Sequence, residues 1–497
     1  PTGRRTLTSV RAQLPKALRG LPPNPAMASL HFEIRDVRVK SMESMLPEKK
    51  ALGGRFRESL MSSTRTLSWM RDRIVSLHLD EREDVGAKPL SQVSAVVLLC
   101  QTIMGAGVVA IPGAMNSAGL AGGLGVLFLC YLISMLGFVL LVLLANHTGE
   151  CSYAGFARKL LGGKWDVYLD VIVLMYTLGV CIGYVVLFGN FLSYLVFAFS
   201  SIEQIHQSIV HKVCMTVATL LIGMPLSCLQ TLGALKVVSL LGLVGVVFSL
   251  VAVMKRYADG DLMEHGRTME LFKGSTFAES FPILALACGG HFNCPALYKE
   301  VAPAVGEPDW GATPEGHRAF RRMANVIFSA STIALMTYAT IGLFAYATWH
   351  DRTQGDFTRN CDASDTWMTG VRIMMSVVVL VAYPLVMSAA RRTIFQLVLS
   401  PMGVEMSQVV CVCIGVSLSV LCLGVALALP EGTAFETSMV YNGAINCTQI
   451  CYIFPAVFYL RLPRAKTSPL VRVACWLLIA LGIFFGIASI VVTARRG

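Results

Sequence analysis

Two short stretches carry the residue types from which a binding site could be made. In Cys100 to Pro112, CQTIMGAGVVAIP, Gly105 and Gly107 sit near the middle of an apolar run over about 93–118, long enough to cross a bilayer, and Pro112 follows. In TFAESFPILALACGGHFNCPALYKE, Gly289 and Gly290 interrupt a second such run, with Pro295 after them. Glycine costs about 1 kcal/mol against alanine inside a helix and proline about 3, so both helices are cheap to break at these points. Irregular chain at membrane depth persists only where it lines a cavity or is buried in protein, because free backbone groups in hydrocarbon cost several kcal/mol each. Each break is thus either a polar site at mid-membrane or a place where small residues let a neighbouring helix approach. If a site, its chemistry is recognition of a zwitterion. Beside Met104, the N–H groups of Gly105, Ala106 and Gly107 are released, and the half-helix that follows offers its positive dipole end to a carboxylate. Cys288, Gly289, Gly290 and His291 offer carbonyls and amides to an ammonium group or a side chain. Together these are the footprint of an α-amino acid.

Other candidates stand opposite the breaks. Thr177, Cys181 and Tyr184 recur at i, i+4 and i+7 on one helix face and could form a facing wall, or could bond between helices. Tyr383, next to Pro384, is a similar candidate. Asn442, Asn446 and Gln449 read as packing bonds. His291, the histidine placed well inside a span, would suit proton coupling; a neutral histidine bonded to a backbone carbonyl is the quiet alternative. Asp170, Glu279 and Glu436 all lie near span ends, so a cationic substrate would lack a partner and neutral amino acids are favoured.

The elements that must position these residues follow from composition and hydropathy. Of 497 residues, 55% are hydrophobic and 14% charged, with a mean hydropathy of +0.64, where a soluble protein has about 25% charged. The chain is expected to be polytopic and to have the lipid bilayer as a partner. Its charge of +11 is scattered over loops and a tail, which excludes a nucleic-acid face. Residues 1–90 hold 17 Lys and Arg against 10 Asp and Glu, with many serines, and read as a disordered cytoplasmic tail. No short apolar run precedes this tail, so the first spanning helix is expected to direct insertion. Eleven apolar spans follow, at about 93–118, 122–146, 168–199, 212–229, 235–254, 276–298, 324–349, 370–390, 407–429, 433–460 and 470–494. With the tail inside, inner segments carry 31 Lys and Arg against 10 outside, which fits the positive-inside rule and places the C-terminus outside.

The two breaks lie 184 residues apart, each about a dozen residues into its span. The broken helices are the first and sixth spans, an offset of five, which is odd, so the second half starts from the opposite side of the membrane. The expected architecture is all-α: an inverted repeat of five plus five helices, repeat one over 93–254 and repeat two over 276–460, with an eleventh helix at 470–494. Paired interrupted segments in corresponding halves are the sequence pointer to a transporter's substrate site.

GAGVVAIPGAMNSAG, SYAGFARKLLGG, YTLGVCIGYVVLFGN, PLSCLQTLGALKVVSLLGLVGVVF, YKEVAP and INCTQICYIFPAVFYLRL together resemble the amino acid/auxin permease family, nearest its sodium-coupled neutral amino acid transporter branch. The resemblance runs from about Val93 to Arg464. It implies a LeuT-type five-plus-five inverted repeat and amino acid transport by alternating access, coupled to sodium or protons or run as exchange. Where sodium-coupled members carry an asparagine before the first break this chain has Gln101, and where they carry a threonine two residues before the eighth-span proline it has Ala382. The second change removes a hydroxyl that sodium would need. A proton-coupled or facilitated carrier is therefore expected, with Gln101, His291 and Tyr383 as candidate coupling-ion residues. An aspartate late in the third span of relatives is Asn190 here. The disulfide of some relatives is not expected, since only Cys361 lies clearly in an outer loop, and the sequon at Asn146 falls at a cytoplasmic helix end. No cofactor or metal is expected: the cysteines show no ligand spacing. The rival reading is an amino acid sensor that signals through the basic tail; a channel and an enzyme lack, respectively, a pore-lining charge ring and a nucleophile with a base. Either the plasma membrane or a vacuolar or lysosomal one would suit such a protein.

Overall fold

The computed structural model of the chain describes residues 89–494 apart from 106, 201–206, 229–234, 261–268, 306–309, 431 and 465–466. The tail expected over 1–90 therefore falls, but for its last two residues, outside the described residues, as does Ala106. Every regular element among the described residues is helical. In chain order these are α1 (Gln92–Met104), α2 (Gly107–Ala118), α3 (Leu120–Thr148), α4 (Tyr153–Leu160), α5 (Trp165–Phe199), α6 (Gln207–Ser227) and α7 (Leu235–Asp259). Then come α8 (Phe277–Ala287), α9 (Cys294–Val301), α10 (Pro314–Trp349), α11 (Thr366–Ile394), α12 (Gln408–Ala428), α13 (Ala434–Arg461) and α14 (Pro469–Ala494). Among the described residues, nine helices are long and apolar enough to cross a membrane, and ten if the bent pair α1 and α2 is one span. The sixth expected span, 276–298, is divided between α8 and α9, each too short to cross alone.

Local chemistry sets the helix ends. Ser91, Thr313, Asp365 and Ser407 accept from the backbone N–H three residues on and so cap α1, α10, α11 and α12. Gly149, at φ +73°, closes α3 in the left-handed conformation that glycine adopts without strain. Within α13, residues Gly443–Ile453 widen into a π-helix.

Contacts at the ends give the two faces of the bundle. On one, Leu90 N–H donates to Glu300 O (3.0 Å), Arg322 donates to Leu90 O (3.1 Å), and Tyr298 Oη donates to Asn146 Oδ1 (2.6 Å). The starts of α1 and α10 and the ends of α3 and α9 therefore lie together. On the other face, Thr276 Oγ1 donates to Ser117 O, and Asn116 Nδ2 donates to Thr353 O (2.9 Å), joining the end of α2, the start of α8 and the loop after α10. The two interrupted segments thus run antiparallel through the middle of the bundle. Asn146, the sequon asparagine, sits half-buried on the first face with its carboxamide engaged.

Helices close on one another where glycine removes a Cβ. A Cβ on Gly443 would overlap Pro282 O, and one on Gly137 would overlap Cys451 O, so α13 touches backbone on both α8 and α3. Gly424, on the lipid side of α12, meets nothing within 4 Å. Gly443→Ala is expected to cost about 1–3 kcal/mol, as overpacking does, whereas Gly424→Ala should leave stability unchanged or raised. Thermal melting of the two detergent-solubilised variants distinguishes them; equal midpoints would show that the Gly443 contact yields without cost.

Candidate functional site

At the first break α1 ends at Met104, Gly105 N–H donates back to Gln101 O (3.1 Å), and α2 leaves at 49° to α1. At the second, Gly289 N–H turns back to Leu286 O (3.0 Å), Gly290 takes φ +138°, and a single 3-10 turn, His291–Asn293, leads into α9. The breaks touch. A Cβ on Gly107 would lie 3.1 Å from Ala287 Cα. One side chain stitches them: Tyr338 Oη, fully buried on α10, lies 3.0 Å from both Ile103 O and Ala287 O, carbonyls that the two ended helices leave without a helical donor.

Beside the breaks is a cavity of about 270 Å³. Gly105, Gly107, Gly289, Tyr184 and Gln101 line it, all expected from sequence to contact substrate or ion. Tyr184 Oη stands 3.3 Å from where a Cβ on Gly105 would be. Gln101, 4% exposed, has an Nε2 with no hydrogen-bond partner among the described residues and lies in a notch made by Gly242, where a Cβ would come within 2.5 Å.

The other expected residues stand elsewhere. Met104 is packed in the core. Thr177 donates to Val173 O (2.9 Å) and Leu174 O (3.0 Å) of its own helix and is fully buried. Cys288 and Gly290 lie behind the lining, with Gly290 against the Thr102 methyl. His291 is 0% exposed: its ring stacks on Phe138 at 3.8 Å, and Nε2 lies 2.9 Å from Ser134 O, so Nε2 carries the proton and donates. This bond pins the second break to α3. Tyr383 Oη donates to Ser419 (3.1 Å), while its neighbour Ala382 lines the cavity. Asn442 Nδ2 donates to Tyr176 O (3.1 Å) and Asn446 Nδ2 to Asn442 Oδ1 (2.9 Å), the packing bonds their spacing suggested.

Sequence reasoning missed Tyr176, Tyr338, Phe435 and Met439. On α5 the cavity face is Tyr176, Val180, Gly183 and Tyr184, turned one residue from the face of Thr177 and Cys181. In a helix apolar all round, the hydropathy pattern does not say which stripe faces inward. Tyr338 carried no signal beyond being a tyrosine in an apolar span.

The cavity's two ends differ. One reaches the exposed Glu300 and Arg392, on the face where α9 ends. Toward the other, α2 rises from Gly107, and six residues on, about 9 Å along the axis, Gly113 meets Gly355 of the loop over 350–365. That loop is fastened. Asn190 Nδ2 donates to Asp356 Oδ2 (2.8 Å), Thr358 donates through both N and Oγ1 to Asp356 Oδ1, and Glu436 packs on Gly355. Arg372, 0% exposed, donates to the carbonyls of Thr358 (2.7 Å), Cys361 (2.6 Å) and Asp362 (3.1 Å). Burial pushes the Cys361 thiol up to about 12, so it stays protonated while the loop is seated.

Helices of membrane-crossing length gathered around a cavity beside two interrupted segments define a multi-pass integral membrane protein. The chain belongs to the family described as transmembrane amino acid transporter protein, whose model matches residues 88–495. The mouse (Mus musculus) protein named "Putative sodium-coupled neutral amino acid transporter 11" shares 24% identity over 395 residues, 76% of this chain and 80% of that protein. Vacuolar amino acid transporter 2 of Saccharomyces cerevisiae shares 23% over 442 residues, 84% and 86% of the two chains. Vacuolar amino acid transporter 5 of Schizosaccharomyces pombe shares 22% over 380 residues, 76% and 86%. The family is one of transporters, not enzymes.

Two outcomes follow from this geometry. Tyr338→Phe strips the shared donor from two buried carbonyls, at about 1–3 kcal/mol; the variant should fold, with KM for uptake raised about tenfold, and an unchanged KM would show that the hydroxyl does not hold the breaks in place. Asn190→Asp sets a carboxylate against Asp356, so one carboxyl is raised above its ordinary range. The seated loop is then favoured at low pH, where the pair shares a proton, and released as pH rises through the raised value. Hydrogen exchange over 350–363, corrected for intrinsic rates, should rise with pH in the variant but not in the parent chain.

Proposed function

We propose that this protein carries neutral amino acids across a membrane by alternating access between its two faces. The observation that carries this is the cavity beside two touching, antiparallel helix breaks, continuous with exposed residues at one end and covered by a fastened loop at the other. In this reading the substrate carboxylate meets the first-turn N–H groups of α2, where helix donors lack helical acceptors and the dipole is positive. The ammonium group meets the side of Gly289, with Gln101, Tyr176 and Tyr184 completing the polar end. The antiparallel course of the two broken segments supports a LeuT-type five-plus-five inverted repeat, repeat one over 93–254 and repeat two over 276–460, with the helix at 470–494 added. The basic residues gathered on the face of Leu90, Arg322 and Arg392 support a cytoplasmic N-terminus. The described conformation is then open to the cytoplasm.

Coupling is read from the same lining. Ala382 brings a methyl to the cavity, and a hard cation requires oxygen ligands. Transport is therefore proposed to be proton-coupled or facilitated, not sodium-coupled. The burial of His291 and the engagement of Tyr383 with Ser419 leave Gln101 as the candidate coupling residue on the cavity surface. The relatives named as vacuolar transporters favour a vacuolar or lysosomal membrane over the plasma membrane.

Purified protein in proteoliposomes should take up a labelled mixture of neutral amino acids saturably. Uptake should not change when sodium is replaced by choline, and should be equal or greater with an imposed proton gradient. A strict sodium requirement would overturn the coupling assignment alone; absence of saturable uptake under every gradient would overturn the carrier reading.

A further inference from the structure

The polar and apolar parts of the cavity lining are separated, and that separation bears on which side chain the substrate carries. The buried polar atoms lie at the breaks: Tyr184 Oη beside Gly105, Tyr176 Oη beside Gly289, where a Cβ would come within 2.9 Å of it, and Gln101 one turn before Gly105. The interrupted segments add Asn293 and Thr102, whose hydroxyl donates to Leu98 O (2.9 Å), while three other helices supply a wall of hydrocarbon: Val180 on α5, Ala382, Leu385 and Val386 on α11, and Phe435 and Met439 on α13. Phe435 and Met439 are four residues apart and so share one face of α13. The Phe435 ring faces Gly183 of α5, where even a Cβ would stand off at an ordinary contact distance of 3.8 Å. The charged lining residues, Glu300 and Arg392, are exposed at the open end, away from this wall.

We propose that the cavity selects amino acids with a large apolar side chain, of the leucine, methionine and phenylalanine class, over small, amide-bearing and charged ones. The inference rests on the carrier reading and deepens it. Volume alone does not select, since the cavity includes its own approach; the lining does. Once the zwitterion is held at the breaks, its side chain lies among methyl, thioether and phenyl groups that offer no hydrogen bond. A carboxamide, ammonium or carboxylate there would be stripped of water without a partner. An alanine side chain would leave the wall in contact with water, whereas each added methylene in an apolar pocket is worth about tenfold or more in discrimination.

The test is a panel of labelled amino acids presented singly to the reconstituted full chain, with ligand-dependent melting measured in parallel. The expected kcat/KM for leucine exceeds that for alanine by about a hundredfold, and glutamine, lysine and glutamate fall below alanine. Val386→Phe should reverse the order by excluding leucine and phenylalanine more than alanine, by at least about tenfold relative to the parent chain. Alanine or glutamine carried as well as leucine by the parent chain would overturn the inference, whether or not the variant folds. Uptake of nothing, with leucine alone raising the melting midpoint, would keep the selectivity and remove the carrier reading. Uptake of nothing with no ligand raising it would remove both.

Discussion

Main-chain polar groups have no water to turn to inside a bilayer, and the architecture at the centre of this protein answers that constraint. Two helices stop at mid-bundle, and the groups they release are taken up within the protein. Gly105 N–H closes on Gln101 O, Gly289 N–H on Leu286 O, and the carbonyls of Ile103 and Ala287 share the hydroxyl of Tyr338. Tyr338 is thus the member through which both breaks are held in one geometry. The first-turn N–H groups of α2 remain to be met, and they lie at the cavity.

The glycines serve two purposes at once. A glycine that lets a helix break and a glycine that lets a neighbour approach are alternatives only on paper, because Gly107 opens α2 and also seats against Ala287. Gly137 and Gly443 extend the pattern outward: each removes a Cβ where another element needs the space. His291 belongs to this packing system. Stacked on Phe138 and bonded through Nε2 to Ser134 O, it fixes the turn between α8 and α9.

The two ends of the cavity are built from different chemistry. One carries exposed charged residues, Glu300 and Arg392. The other is covered by a loop whose polar groups are satisfied internally: Asp356 accepts from Asn190 and Thr358, and the buried Arg372 guanidinium donates to three loop carbonyls.

Sequence alone determined the apolar runs and the positions of both interruptions, because these follow from local terms: hydropathy and glycine and proline propensity. Kinship with amino acid transporters was legible too, carried by contiguous motifs. Which residues face the cavity was decided by tertiary packing. Gly105, Gly107, Gly289, Tyr184 and Gln101 were found because they sit at or near a break. Tyr176 was missed in favour of Thr177, and His291 was considered for a cavity it does not reach. In helices apolar on every side, period and composition leave the rotation about the axis undetermined; close approaches such as Asn442 against Gly179 set it, and those exist only once the bundle has assembled.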